Sequence, residues 1–211
     1  MYIPQAFEVT DRETLHAFIE ANSFATLVTS VDGAPFATRL PLLLDRDAGA
    51  RGTLLGHLAR ANPHWRGFDA RAQALAMFDG PHGYISPSWY VASPAVPTWN
   101  YAAVHAYGAP RVIEDPRRVE AIVDRLVEIH EAELPQPWSA REVSREFKTK
   151  LLKAIVGFEI AIDRIEGKFK VGQNRPIEDQ LSVADELARS PNAVGRELGK
   201  LIRAHQTPAH R

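Results

Sequence analysis

The chain has 211 residues, 25 Lys and Arg against 26 Asp and Glu, and 45% hydrophobic residues. That balance suits a globular chain with a buried core and gives no general basic footprint for nucleic acid or an anionic membrane. It has no cysteine, which excludes disulfides, thiolate metal sites and thiol nucleophiles. The opening "MYIPQAFEVTDRETL" lacks the basic-then-apolar order of a signal peptide, and no apolar run approaches the length that spans a bilayer. A cytoplasmic protein is expected.

In chain order, Thr10 and Glu13 form a possible capping box ahead of a helical stripe of Leu15, Phe18 and Ile19. "FATLVTS" and "APFATRLPLLLD" read as strands, and Asp32-Gly33 between them reads as a hairpin turn. "RGTLLGHL" and "AQALAMFDG" are two further strands, separated by "ARANPHWRGF", which is too polar and Pro-broken to be one. "YAAVHAYGAPRVIED" completes the set. Asp115 and Pro116 then open a helix whose stripe is Val119, Ile122, Val123, Leu126 and Val127. "AREVSREFKTKLLKAI" predicts a second helix, and Phe158, Ile160 and Ile162 alternate as one face of a late strand. The tail from Ile177 reads as two helices split at Pro191. Strands early, helices later and one strand returning late favour an α+β chain built on an antiparallel β-barrel, rather than a doubly wound parallel sheet.

Chemistry concentrates in a few places. "GHLARANPHW" sets His57, Arg60, Asn62 and His64 at and just past a strand end. A fixed charge with nearby hydrogen-bond donors is what a phosphate monoester needs; a solvated loop with an exposed arginine is the alternative. In either case Arg60 reads as a polar loop residue on which stability does not depend. His57 and His64 share no helix face and have no accompanying carboxylate, so no metal site is expected. Ser86 and Ser88 lie near His82 without a nucleophile elbow, and neither a Walker loop nor a dinucleotide fingerprint occurs. In "ATRLPLLL", Arg39 sits among apolar residues and Pro41 interrupts the ladder. A buried arginine needs a partner, either an anionic ligand or a structural carboxylate.

"MYIPQAF", "GHLARANPHW", "FDGPHGYISPSWY", "VPTWNYAAVHAYG" and "IVGFEIAIDRIEGKFKVGQNRP" together resemble, in that order, the PaiB-like proteins, a family of FMN-binding negative transcriptional regulators. The resemblance covers roughly residues 1 to 180. One departure is Val171-Gly172, where the family pattern has a Leu-Ser pair. The resemblance implies an antiparallel split β-barrel similar to pyridoxine-phosphate oxidase. Residues 1–176 would form the FMN-binding domain and residues 177–211 a C-terminal helical extension.

The same resemblance implies where FMN would be held. Thr38, Arg39, Leu40 and Pro41 would line the flavin, and His57, Ala59, Arg60 and Asn62 would hold the phosphate end. Trp99, Asn100, Lys168, Gln173, Asn174 and Arg175 would close the site at or near the interface of a homodimer. Three functions follow as expectations. The first is a repressor acting through bound flavin, with DNA or a regulatory protein as partner and no membrane. The second is a flavin-dependent oxidoreductase. The third, from fold analogy alone, is haem binding or degradation through His82 or His105. The charge balance gives no sign of direct DNA contact.

Overall fold

Asp11 starts the first helix by accepting hydrogen bonds from the Thr14 amide at 2.8 Å and the Thr14 hydroxyl at 2.7 Å. The cap is therefore Asp11 rather than Thr10, and those two bonds hold its carboxyl below the usual range. The structure, a computed structural model, describes residues 1–68 and 70–206. Among them are ten strands and five α-helices, and the chain divides into two compact units assembled from separated stretches.

The second unit comprises Ile19–Phe78 and His105–Ile165. In it β2 (Phe24–Val31) and β3 (Ala34–Pro41) form an antiparallel hairpin with Phe24 opposite Pro41 and Val31 opposite Ala34. Asp32 and Gly33 turn it with φ of 52° and 79°, the two positive values a two-residue hairpin loop requires. The other edge of β2 pairs with the start of β6 (Ala74–Ile85), which leaves β3 as an edge strand. Pro41 is tolerated at that edge. A second antiparallel sheet has the order β4 (Leu43–Asp45), β5 (Thr53–Ala59), β9 (Ile155–Ala161), β8 (Pro110–Ile113). Helices α2 (Pro116–Glu131) and α3 (Arg145–Lys153) belong to this unit as well. Asp115 caps α2 through the Arg117 amide at 2.9 Å. The periodic residues Val119, Ile122 and Leu126 then pack with Leu43 and Ile113, completing the stripe read from the sequence.

The first unit comprises Met1–Phe18, Asp79–Val104 and Glu166–Arg211. It holds β1 (Glu8–Val9), which pairs with β10 (Arg164–Lys170), and portions of β6 and of β7 (Thr98–Gly108), in the order β1-β10-β7-β6. Most of α1 (Arg12–Ala21) also lies here. Helices α4 (Ile177–Ala188) and α5 (Ala193–Ala204) belong to the same unit. Ile85, Val171, Val183, Leu187, Leu198 and Ile202 form its core with these two helices. Asn192 caps α5 through the Val194 amide at 3.0 Å, just past the break that Pro191 makes.

Three elements differ from the sequence expectation. The late strand is two strands, because Asp163 donates its amide to Tyr107 at 2.9 Å and the chain turns there. Strand β6 runs through Gly80 and Pro81 to Ile85, since its pairing with β2 ends at Met77 and Pro81 has no partner to lose on that side. Arg39 is exposed rather than buried, because β3 is an edge strand with an open face. Among the described residues no helix is long and apolar enough to cross a membrane.

Candidate functional site

In the second unit, β5 ends at Ala59 and the chain enters a 3₁₀ turn over Pro63–Gly67. Asn62 caps that turn: its Oδ1 accepts from the His64 amide at 3.0 Å, while its Nδ2 donates to Thr38 Oγ1 at 3.2 Å. His64 is wholly buried between Phe36 and Phe68, with ring centroids 4.8 and 5.4 Å away. Its Nδ1 lies 2.8 Å from Thr38 Oγ1 and its Nε2 lies 2.8 Å from Thr29 Oγ1. Thr38 already accepts from Asn62, so its one hydrogen goes best to His64 Nδ1, and Nε2–H then donates to Thr29. Burial lowers the His64 pKa and keeps the ring neutral, as this relay requires. Sequence reasoning weighed His64 as a donor near a phosphate and as a metal ligand, and missed this role. The signal was two threonines inside apolar strands beside an Asn-Pro-His cap.

Arg60 is exposed, but its guanidinium is anchored. Nε donates to the Lys153 carbonyl at 2.8 Å and Nη2 to the Ile155 carbonyl at 2.7 Å. Its own carbonyl accepts from Trp65 Nε1 at 3.0 Å. Arg60 thus closes the C-terminal end of α3 onto the start of β9, and the expectation that stability would not depend on it gives way to a structural role. Two of its five N–H donors serve those carbonyls. Among the described residues Arg39 meets no carboxylate, and it is not buried: its guanidinium sits 4.9 Å over the Phe24 ring and donates to the Phe24 carbonyl at 3.3 Å. Leu40 is buried beside it, and Pro41 is half-buried. Ala59 is exposed at the strand end. His57 is half-buried on β5 opposite Gly157, with a pKa lowered by burial and a buried Nδ1 that has no hydrogen-bond partner among the described residues.

The first unit holds the other expected residues. Trp99 is exposed and meets the Tyr84 ring at 6.2 Å, whereas Asn100 is buried. Lys168 is also buried. Its Nζ donates to the Tyr2 carbonyl at 3.0 Å and lies 5.2 Å from the Tyr101 ring centroid. Two positions further on, Lys170 donates to the Thr98 hydroxyl and to the Trp99 carbonyl at 2.8 Å. Burial lowers the Lys170 pKa, and the neighbouring Lys168 charge lowers it further. Sequence reasoning passed over Lys170 although it stands in the same motif. The turn before α4 is explained locally: Gln173 accepts from the Val171 amide at 2.9 Å and donates to the Phe169 carbonyl. Arg175 donates through Nε to the wholly buried Asp179 at 3.0 Å and lies 4.0 Å over the Tyr90 ring. Asp179 also accepts the Val91 and Ala92 amides at 2.8 and 2.9 Å, which fastens their loop to α4. Asn174 is exposed. Gly172 has φ of 91°, so a glycine here, in place of the family's second pair residue, suits the backbone.

Comparison with known proteins bears on this arrangement. Residues 1–164 match the family described as "Putative FMN-binding domain". Over 202 residues the chain is 39% identical to protease synthase and sporulation protein PAI 2 of Bacillus subtilis (strain 168), covering 96% of each chain. The chain belongs to this PaiB-like FMN-binding family. Among solved structures, the flavocytochrome Anf3 from Azotobacter vinelandii superposes with a TM-score of 0.58 at 16% identity, covering 81% of this chain and 73% of that one. The FAD and heme binding protein from Mycobacterium smegmatis gives 0.54 at 22% identity, covering 78% and 74%. The fold is the antiparallel split barrel, and FMN is the family's cofactor. The residues fit that group. The second unit presents guanidinium and amide N–H groups with no carboxylate among the expected residues, as a phosphate dianion demands.

Proposed function

We propose that the protein is a cytoplasmic FMN-binding repressor that acts as a homodimer and responds through its flavin. In this reading Arg60 and Asn62, which keep N–H groups to spare, hold the phosphate with His57 and Ala59 beside them, Thr38 orients Asn62, and β3 from Thr38 to Pro41 lies along the ring. Trp99, Asn100, Lys168, Gln173, Asn174 and Arg175 from a second copy of the chain close the site. The exposed Trp99 and Tyr84 supply the apolar surface such a closure needs. Bound FMN supplies the one- and two-electron redox chemistry of its ring. The protein's own residues bind and orient it. His64 holds Thr38 and Asn62 in place, and Lys168 and Lys170 bring positive charge to one strand.

The observation that carries the regulatory reading over a reductase or oxidase is the 39% identity, over 96% of each chain, to protease synthase and sporulation protein PAI 2 of Bacillus subtilis. None of the expected residues is a carboxylate, and burial favours the neutral form of both His57 and His64. The set suits the binding of a cofactor, whose ring carries the redox chemistry itself. The helical pair α4–α5 does not supply a basic reading face. Arg189 pairs with Glu186, Lys200 with Glu197 and Arg203 with Asp185, while Arg196 donates to the Ser190 and Pro191 carbonyls. Cations so balanced by acids favour a regulatory partner, or a DNA contact made elsewhere on the dimer, over direct reading by α5. The test is to purify the protein with its flavin, measure its mass by light scattering and assay it in both redox states. A dimer with one FMN per chain, whose retention of a selected genomic DNA fragment or regulatory protein changes on reduction, is the expected result. Sustained NAD(P)H-dependent turnover of an acceptor, with no such change, would favour the oxidoreductase.

A further inference from the structure

The second unit contains a cleft of about 600 Å³ between β8, β9, α2 and α3, within the size range of small-molecule sites. Its lining is built from opposites. Val112, Val119, Leu152, Ile155 and Val156 make an apolar floor, while Arg117, Arg145 and Lys153 bring three cations to the same space. The acids that also line it are Glu114 and Glu120, and Glu120 already pairs with Lys148 at 2.8 Å. The Lys148 ammonium, which Glu120 shares with Asp124, and the nearby Arg145 charge hold the Glu120 carboxyl below its usual range. Arg60 also lines the cleft, but in the proposed function its unspent donors go to the FMN phosphate, so the ligand's anion is left to the other three cations. The first turn of α2, a 16-residue helix, adds the positive end of its dipole at Pro116 and Arg117.

We propose that this cleft binds a small carboxylic acid with an apolar body, its carboxylate among the arginines and its chain along Val119, Leu152 and Ile155. The surplus of cations rejects an amine, and the apolar floor gives nothing to the polar rim of a flavin. A medium-chain acid satisfies both halves of the lining: the body leaves water, and the anion meets guanidinium groups that pair with carboxylates in two-point fashion.

Isothermal titration of the FMN-loaded protein with octanoate, octanol and octylamine tests this. Octanoate should bind, with octanol and octylamine at least about tenfold weaker, the loss set by a charged hydrogen bond. Arg145→Glu and Arg117→Glu, neither of which takes part in the proposed flavin contacts, should each weaken octanoate by about tenfold or more and leave FMN retention unchanged. Arg145→Gln, which adds no repelling charge, should fall between the wild type and Arg145→Glu, and covers the case in which a reversal variant fails to fold. Failure of octanoate to bind at millimolar concentration, or equal binding of octanol, would overturn the proposal. So would charge variants without effect. Displacement of octanoate by FMN, on protein stripped of flavin, would show the cleft to be part of the flavin site and would likewise overturn it.

Discussion

The two units handle buried polarity in opposite ways. In the second, the polar centre is neutral: Thr29, His64, Thr38 and Asn62 satisfy one another, and the charged Arg39 and Arg60 remain exposed beside them. In the first, the charges themselves are drawn in. Asp179 is wholly buried against Arg175 and two amides, and Lys168 lies against a carbonyl and aromatic rings. The difference teaches where each unit is vulnerable. A neutral relay loses a hydrogen bond when one member is removed, whereas a buried ion pair leaves an uncompensated charge. In the proposed reading a ligand phosphate meets the unspent N–H groups of Arg60 and Asn62.

The first unit should therefore break hardest. Asp179→Ala leaves Arg175 without its carboxylate and two amides without their acceptor, and should cost about 3–5 kcal/mol in urea unfolding. A cost below about 1 kcal/mol, the level of an exposed pair, would erase the contrast between the units.

In the second unit, His64→Leu keeps the volume but strands the buried Thr29 hydroxyl, with an expected loss of about 2–3 kcal/mol. His64→Asn keeps a partner near Nδ1 for Thr38, so it should recover FMN affinity better than His64→Gln, which serves the Thr29 side. Equal FMN affinities in the two variants would deny the histidine its hold on Thr38. The relay also fixes a pH dependence. The folded pKa values of His57 and His64 both lie below the unfolded value near 6.5. The unfolded chain then binds protons first as the pH drops. Their contribution is fully present above that unfolded value and is lost as the pH falls through it toward the folded values. Thermal melts at pH 7.5 and about pH 5.5 should show the loss in wild type and a smaller one in His64→Leu. A melt insensitive to acid over that window would contradict a neutral buried ring. The smallest effect belongs to Gly172→Ala, where φ of 91° should cost about 1–2 kcal/mol without touching either polar network. A neutral outcome in the melt would show that this turn relaxes.

Much of this was legible in the residues. Asp32-Gly33 demanded a hairpin, Asp115-Pro116 opened α2 and Pro191 split the tail, because turn and cap chemistry is local. What failed to read was what depends on distant partners. Arg39 looked buried by its neighbours, and only the edge position of β3 exposes it. Arg60 looked like a free loop cation until the carbonyls of Lys153 and Ile155, more than ninety residues away, came to meet it. The relay around His64 joins two strands and a turn, so no window of sequence contains it. Asp163 ended β9 through a bond to Tyr107, while the alternation of apolar residues ran on to Ile162.

The central claim, that the exposed cation beside the neutral relay binds the FMN phosphate, is tested most directly by titrating FMN and riboflavin into wild type and Arg60→Ala. Losing one charged hydrogen bond to the phosphate should weaken FMN by about ten- to a hundredfold. The freed Lys153 and Ile155 carbonyls should lower stability by about 1–2 kcal/mol, so the titration is run where both proteins stay folded. Riboflavin, which lacks the phosphate, should bind the two proteins equally. If riboflavin affinity falls together with FMN affinity, or if FMN affinity does not change, the phosphate is not held by Arg60 and the account fails.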